Sequence, residues 1–353
     1  MLIQSNVCLS KMQLGQMADN NLSAWGELET KFFYELTPDK VLDAVEGFGF
    51  RCTGRCLTLN SMENRVYEVE IESESKLKTD HFKIIKFYRP GRWTKEQILE
   101  EHEFLLDLEE VDIPVVTPMR DSEGSTVCEL KDLKIFCSLF PKIGGRNPQE
   151  LSDDQLPIIG RLLARMHNVG ATKKAQHRIA LTPDNYGRQS LGFLQKGNFI
   201  PENMQNRFSS IVEEICDRAD TLFSHVSTQR VHGDCHFGNL LWADTGPFWV
   251  DFDDCVTAPP VQDLWLLFPG RDEYSNEQLR KLILAYDEMR SFDWESLNLI
   301  ESLRSLRMIH FSAWIAKRWE DPAFKRSFVE FGTNKYWIEQ LSLLEEQLSL
   351  IPG

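Results

Sequence analysis

The spacing of apolar residues along this chain changes character once, in the segment "PKIGGRNPQE" at 141–150. Before it, the pattern is mostly that of strands. Residues 55–59, "RVYEVEI" at 65–71 and "FKIIKFY" at 82–88 are rich in β-branched and aromatic side chains, which suit a pleated surface. The polar run "ESESKLKTD" between the last two reads as a solvated turn. An amphipathic helix is predicted over 32–49, with Thr37-Pro38 at its opening and Gly47 and Gly49 at its close. After "RPGRW" interrupts the sheet, "TKEQILEEHEFLLDLEE" at 94–110 predicts a second helix. Thr94 and Gln97 form its capping box, and Ile98, Leu105 and Leu108 form one apolar stripe. Short strands are expected around 113–117, 126–130 and 134–140.

Beyond the Pro and Gly punctuation the period becomes helical. Residues 152–168 carry Ile159, Leu162, Leu163 and Met166 at helical spacing, and 203–226 carry Phe208, Ile211, Ile215, Leu222 and Phe223. Further helices are predicted at 275–290, 294–318 and 334–349. A strand-rich part with one prominent helix thus precedes a helix-rich part, which is an α+β layout in two lobes and not an alternating βα one. We expect a weakly ordered extension over 1–30, an N-lobe over 31–141 and a C-lobe over 142–353.

Composition narrows the function. A formal net charge of −15 argues against a nucleic-acid partner, which needs clustered Lys and Arg. It also means that an anionic ligand needs a cation or a local basic residue to hold it. The 8 cysteines are scattered without a Cys-x-x-Cys pair, as expected of reduced thiols in a cytoplasmic protein. No segment approaches the ~20 apolar residues of a membrane span, and the N-terminus lacks the pattern of a signal peptide. A monomer without membrane contacts is expected.

The chemistry concentrates in "VHGDCHFGNLLW" at 231–242, where a metal site, a nucleophile site and a phosphotransferase loop are all conceivable. Asp234 and Asn239 stand five residues apart, the spacing of the Asp and Asn in the kinase catalytic loop H-R-D-x-x-x-x-N. The short apolar strand "PFWV" then leads to Asp251 in "VDFDD", in the place of the kinase D-F-G aspartate. Asp and Asn oxygens are hard ligands suited to Mg²⁺. Upstream, Lys86 ends "FKIIK" on a strand and shares a face with Phe82, Ile84 and Tyr88, so it is the candidate to reach nucleotide phosphates, with Lys83 outside that role. Its expected partner is Glu101, on the buried stripe of the following helix, with Glu100 as fallback.

"HGDCHFGN", "VDFDD" and "PPVQDLW" resemble the aminoglycoside phosphotransferase-like kinases, and the likeness is closer to the stress response kinase A family of bacterial Ser/Thr protein kinases. It extends over "LNSMENRVYEV", "KFYRPGRWTKEQILEEHEF", "FPKIGGR", "GRLLARMH" and "RWEDPAF", most of the chain from about residue 36. The resemblance implies a bilobal protein-kinase-like fold, ATP and Mg²⁺ as cofactors, and a stress-response kinase acting on a Ser/Thr hydroxyl of a protein, the chain itself included. Carried over, the proton acceptor is Asp234, the magnesium ligands are Asn239 and Asp251, and a nucleotide-contacting serine is Ser61. Asp263 takes the part of a buried aspartate bracing the catalytic loop, and His232 that of a structural histidine. The turn "NSMEN" lacks a G-x-G-x-x-G, so Ser61 and Asn64 are expected to donate hydrogen bonds to the nucleotide instead. Asp253 stands where D-F-G has glycine, and no A-P-E follows, so no activation-loop phosphorylation is expected.

Three other readings bear on the same residues. A zinc site would need His232, His236, Cys235 and Cys255 to converge, and their spacing fits no zinc pattern. A pseudokinase scaffold would normally lack one of Asp234, Asn239, Asp251 or Lys86, and all are present. A kinase of small alcohols, of aminoglycoside, choline or homoserine type, would use the same machinery.

Overall fold

The computed structural model describes residues 33–352. The expected extension over 1–30 and the start of the first predicted helix lie outside them. That helix, α1, spans Pro38–Glu46 and is shorter than predicted: a 3₁₀ turn at Phe33–Glu35 precedes it, and Thr37, in extended conformation, caps it. Proline fixes the break, because it suits the first helical turn but disfavours a helical residue before it.

Five strands form one antiparallel sheet: β1 (Cys52–Leu59), β2 (Arg65–Ile71), β3 (Phe82–Phe87), β4 (Cys128–Leu130) and β5 (Ile135–Pro141), in the order β1-β2-β3-β5-β4. The helix α2 (Lys95–Glu110) runs between β3 and β4, and its Thr94–Gln97 capping box is formed. β3 is central, with Lys86 registered against Val66 on one side and Ser138 on the other. One face of the sheet buries Val69, Ile85 and Leu139 against Val41 and Val45 of α1. The other face looks toward α2 and the helical part. The segment 113–117 is not a strand; only Val115 makes a bridge, to Trp249 in the second half.

The second half contains α3 (Gln155–Gly170), α4 (Gln189–Lys196), α5 (Glu202–Phe223), the short strands β6 (Gln229–Val231), β7 (Leu240–Ala243), β8 (Gly246–Trp249) and β9 (Val256–Ala258), then α6 (Val261–Trp265), α7 (Glu273–Asp287), α8 (Ile300–Lys317), α9 (Pro322–Ser327) and α10 (Asn334–Leu350). The sequence pattern missed α4, α6 and α9, which have at most eight residues each and so show too little of a helical period. It also ran the Trp294–Leu299 3₁₀ turn into α8. The larger core joins these helices with Phe104, Leu105 and Leu108 of α2. Thus α2 packs with the helical half as well as serving the sheet. Among the described residues no helix is long and apolar enough to cross a membrane.

Candidate active site

Lys86 is buried on the central strand, and three carboxylates meet its ammonium: Asp253 at 3.0 Å, Asp251 at 3.4 Å and Glu101 at 3.5 Å. Burial alone would lower the Lys86 ammonium, but Asp253 and Glu101 beside it hold it well above the usual lysine range. The predicted pairing with Glu101 therefore exists, and the fallback Glu100 has another task. Its carboxylate accepts the backbone N–H groups of Gln176, His177 and Arg178, docking α2 on the helical half. Glu101 is itself held by Arg178 at 2.7 Å. Lys83 sits on the opposite face, over the Phe50 ring.

The two remaining carboxylates follow one hairpin, Asp251 just after it and Asp253 in the 3₁₀ turn Phe252–Asp254. β7 and β8 pair with Leu240 opposite Trp249, and Val250 N–H donates to the Asn239 carbonyl at 3.0 Å. This register sets the catalytic-loop end beside Asp251. Asp251 has φ 60° and ψ 65°, a left-handed conformation that costs a non-glycine residue of order 1 kcal/mol. Its side chain remains half exposed. Asn239 is anchored by its Nδ2, which donates to the Asp234 carbonyl at 3.0 Å. Asp251 carries hard oxygens beside the lysine, and Asn239 is joined by the Val250 N–H to the residue before Asp251, so the two are donors of the kind that suits Mg²⁺. Among the described residues no group of three or more His, Cys, Asp or Glu could hold a metal, so the zinc reading has no site there.

Asp234 lies in the loop after β6. Asp263 braces that loop from the start of α6, accepting the His232 N–H at 2.9 Å and the Gly233 N–H at 2.8 Å while His167 Nε2 meets it at 3.0 Å. His232 is buried, with Nε2 donating to the Val250 carbonyl and Nδ1 accepting the Asp234 N–H. Gly233 has φ +85°, and a Cβ there would meet the Asp254 carbonyl at 2.3 Å, so only glycine fits. The Asp234 carboxylate meets Arg307 at 2.8 Å and His236 Nε2 at 3.2 Å. Burial would raise its pKa, but the His236 hydrogen bond and the Arg307 guanidinium hold it well below the usual carboxylate range. Cys235 is buried, and burial with Asp263 and Asp234 nearby pushes its thiol far up, the opposite of what activates a cysteine nucleophile.

The β1–β2 turn holds Ser61 and Asn64. Ser61 is partly exposed, and its Oγ accepts the Asn64 N–H at 3.3 Å. Asn64 is buried, with Oδ1 accepting the Arg89 N–H at 3.0 Å, so it braces the turn. Sequence reasoning also missed Glu63, which meets Arg89 at 3.1 Å, Arg92 at 2.6 Å, Arg318 at 2.8 Å and Trp314 Nε1 at 2.7 Å. Arg92 extends this network to Asp254. Of the missed residues only Asp253 had a local signal, an acid in the glycine place of D-F-G. Arg178, Arg307 and Arg318 are distant in sequence, and no spacing announces them.

The sequence pattern of the phosphotransferase enzyme family matches residues 57–300. Stress response kinase A of Escherichia coli (strain K12) is 36% identical over 320 residues, which cover 90% of this chain and 94% of that protein. Serine/threonine protein kinase RdoA of Salmonella typhimurium is 33% identical over 320 residues, with the same shares. Among solved structures, amicoumacin kinase hAmiN, in complex with AMP-PNP, Ca²⁺ and Ami, superposes with a TM-score of 0.69 at 19% identity, covering 89% of this chain and 94% of that one.

Proposed function

The chain belongs to the phosphotransferase enzyme family, and on that footing we propose that it transfers the γ-phosphoryl group of MgATP to a Ser or Thr hydroxyl of a protein. The observation that carries this reading is the meeting of Lys86, Glu101, Asp251 and Asp253 within ion-pair distance, although they come from three separate stretches of the chain. We assign residues 31–141 and 142–353 to two lobes, with the nucleotide between them.

Lys86, kept charged by its carboxylates, binds the nucleotide phosphates, and Glu101, fixed by Arg178, keeps it in place. Ser61 contributes a hydroxyl from the β1–β2 turn. Asn239 and Asp251 would hold Mg²⁺, which neutralises phosphate charge that this acidic protein otherwise repels. Asp234 orients the acceptor hydroxyl for in-line attack and takes its proton as the new O–P bond forms and the bond to ADP breaks. Asp263 and His232 keep the loop in the shape that aims Asp234. Positioning and electrostatics account for most of such catalysis.

The protein-acceptor half of the proposal draws on the relatives named Ser/Thr protein kinase and stress response kinase. A small-alcohol acceptor is the second reading, favoured by the likeness in fold to amicoumacin kinase. Label transfer from γ-labelled MgATP separates the two. Label on Ser or Thr of the chain itself or of an added protein supports the first; label confined to a small alcohol moves the function to the second. No transfer to any acceptor would sink both.

A further inference from the structure

An acceptor hydroxyl must compete for Asp234, because donors already occupy both carboxylate oxygens. Oδ1 accepts from Arg307 at 2.8 Å. Oδ2 faces His236 Nε2 at 3.2 Å and Asn239 Nδ2 at 3.4 Å. These three donors are not equally fixed. His236 is held within its own loop by the Gly238 N–H on Nδ1 at 2.9 Å, and Asn239 is anchored on the Asp234 carbonyl. Arg307 instead reaches in from α8, 73 residues along the chain, and its side chain is 47% exposed. Of the three it is the one carried by an element outside the loop.

An arginine leaves one carboxylate at little cost when another anion takes its place, since the planar fork pairs equally well with carboxylate or phosphate. A neutral or cationic acceptor offers no such exchange. From this exchange, and resting on the phosphotransferase reading above, we infer that Arg307 selects the acceptor by pairing with a carboxylate or phosphate next to the target hydroxyl. The substrate is then an acidic Ser/Thr segment of a protein and not a polycationic alcohol.

The surroundings agree. Asp254 is paired with Arg92, and Glu63 is shared among three arginines, so acids beside the loop already have cationic partners. Tyr186 stacks on His310 of α8 at 4.0 Å. Arg307 and His310 of this pair both lie on α8. The net charge of −15 draws cations to the surface as a whole, but the guanidinium on Asp234 opposes them at the reacting atoms.

The test compares kcat/KM for matched serine peptides flanked by Asp and Glu, by Gln, or by Lys and Arg. Small alcohols bearing a carboxylate or an ammonium group are run alongside, with wild type, Arg307→Glu and Arg307→Lys. Wild type is expected to use the acidic peptide at least tenfold better than the Gln peptide. Arg307→Glu should erase or reverse that order, mainly through KM, with MgATP affinity as in wild type, and Arg307→Lys should restore part of it. A wild type indifferent to the flanks or preferring Lys and Arg overturns the inference, as does an Arg307→Glu variant with the wild-type order. An Arg307-dependent preference confined to carboxylate-bearing small alcohols overturns the protein acceptor. A blank with every acceptor, in wild type, overturns the phosphotransferase reading itself.

Discussion

At the level of single residues, the site depends on groups whose charge is held by neighbours. Lys86 is the clearest case, a buried ammonium among three carboxylates, two of them buried. Removing one partner of a buried ionic cluster leaves the rest uncompensated, which costs roughly 3–5 kcal/mol. Lys86→Met should therefore lose phosphoryl transfer and also lower the melting temperature; an active variant of unchanged stability would contradict the role given to Lys86. Asp263→Ala removes the acceptor for two loop N–H groups and should lower kcat with little change in MgATP affinity, as measured by titration. Much of this candidate site was legible in sequence, because Asp234, Asn239 and Asp251 lie close together, on one loop and around the hairpin that follows it. The bracing of the turn by Asn64 was not legible, because a turn residue's direction depends on the strand beside it, here on Arg89. Arg307 was invisible, since nothing in its own helix marks it apart from other exposed arginines.

At the level of elements, the β1–β2 turn is the unusual part. In place of glycines it carries Glu63, clamped by Arg89 and Arg92 from the sheet side and by Arg318 and Trp314 at the end of α8. Burial would raise the Glu63 carboxyl, yet Arg318, Arg92 and Arg89 bring it down to about 2. An unfolded glutamate titrates near 4.3, so the folded pKa is the lower one. The stability from this cluster is present above about pH 4.3 and is lost as pH falls toward 2, and linkage bounds it at about 3 kcal/mol. Glu63→Gln should lower stability at pH 7 and flatten the acid limb of the stability profile, as followed by urea unfolding at stepped pH. An unaltered acid limb would remove Glu63 from the clamp. The strands and α2 were readable because their period and capping box are local. The clamp was not, because it joins residues 63 and 318, and no window of sequence spans it.

For the whole molecule, the sheet and the helical half meet through α2, the Glu63 clamp and the Lys86 cluster, so nucleotide binding and overall stability should be coupled. MgATP at about 100 times its Kd should stabilise the native state by about 2.7 kcal/mol. We expect the melting temperature to rise by several degrees with MgATP, and much of that rise to vanish with EDTA. Equal stabilisation with and without the divalent ion would remove the metal role given to Asn239 and Asp251. The two-part α+β layout was legible from the change of hydrophobic period alone. How the parts are joined was legible only in the apolar stripe of α2, because the other joining residues are charged and scattered.

The most direct test of the central claim measures binding and transfer together in one variant. Asp234→Ala should keep MgATP affinity within a few-fold of wild type, because Lys86, Asn239 and Asp251 remain. It should lose phosphoryl transfer by at least a hundredfold, in keeping with the usual contribution of a positioned general base. Near-normal transfer by Asp234→Ala would contradict the account, and so would a loss of transfer that merely follows a loss of MgATP binding.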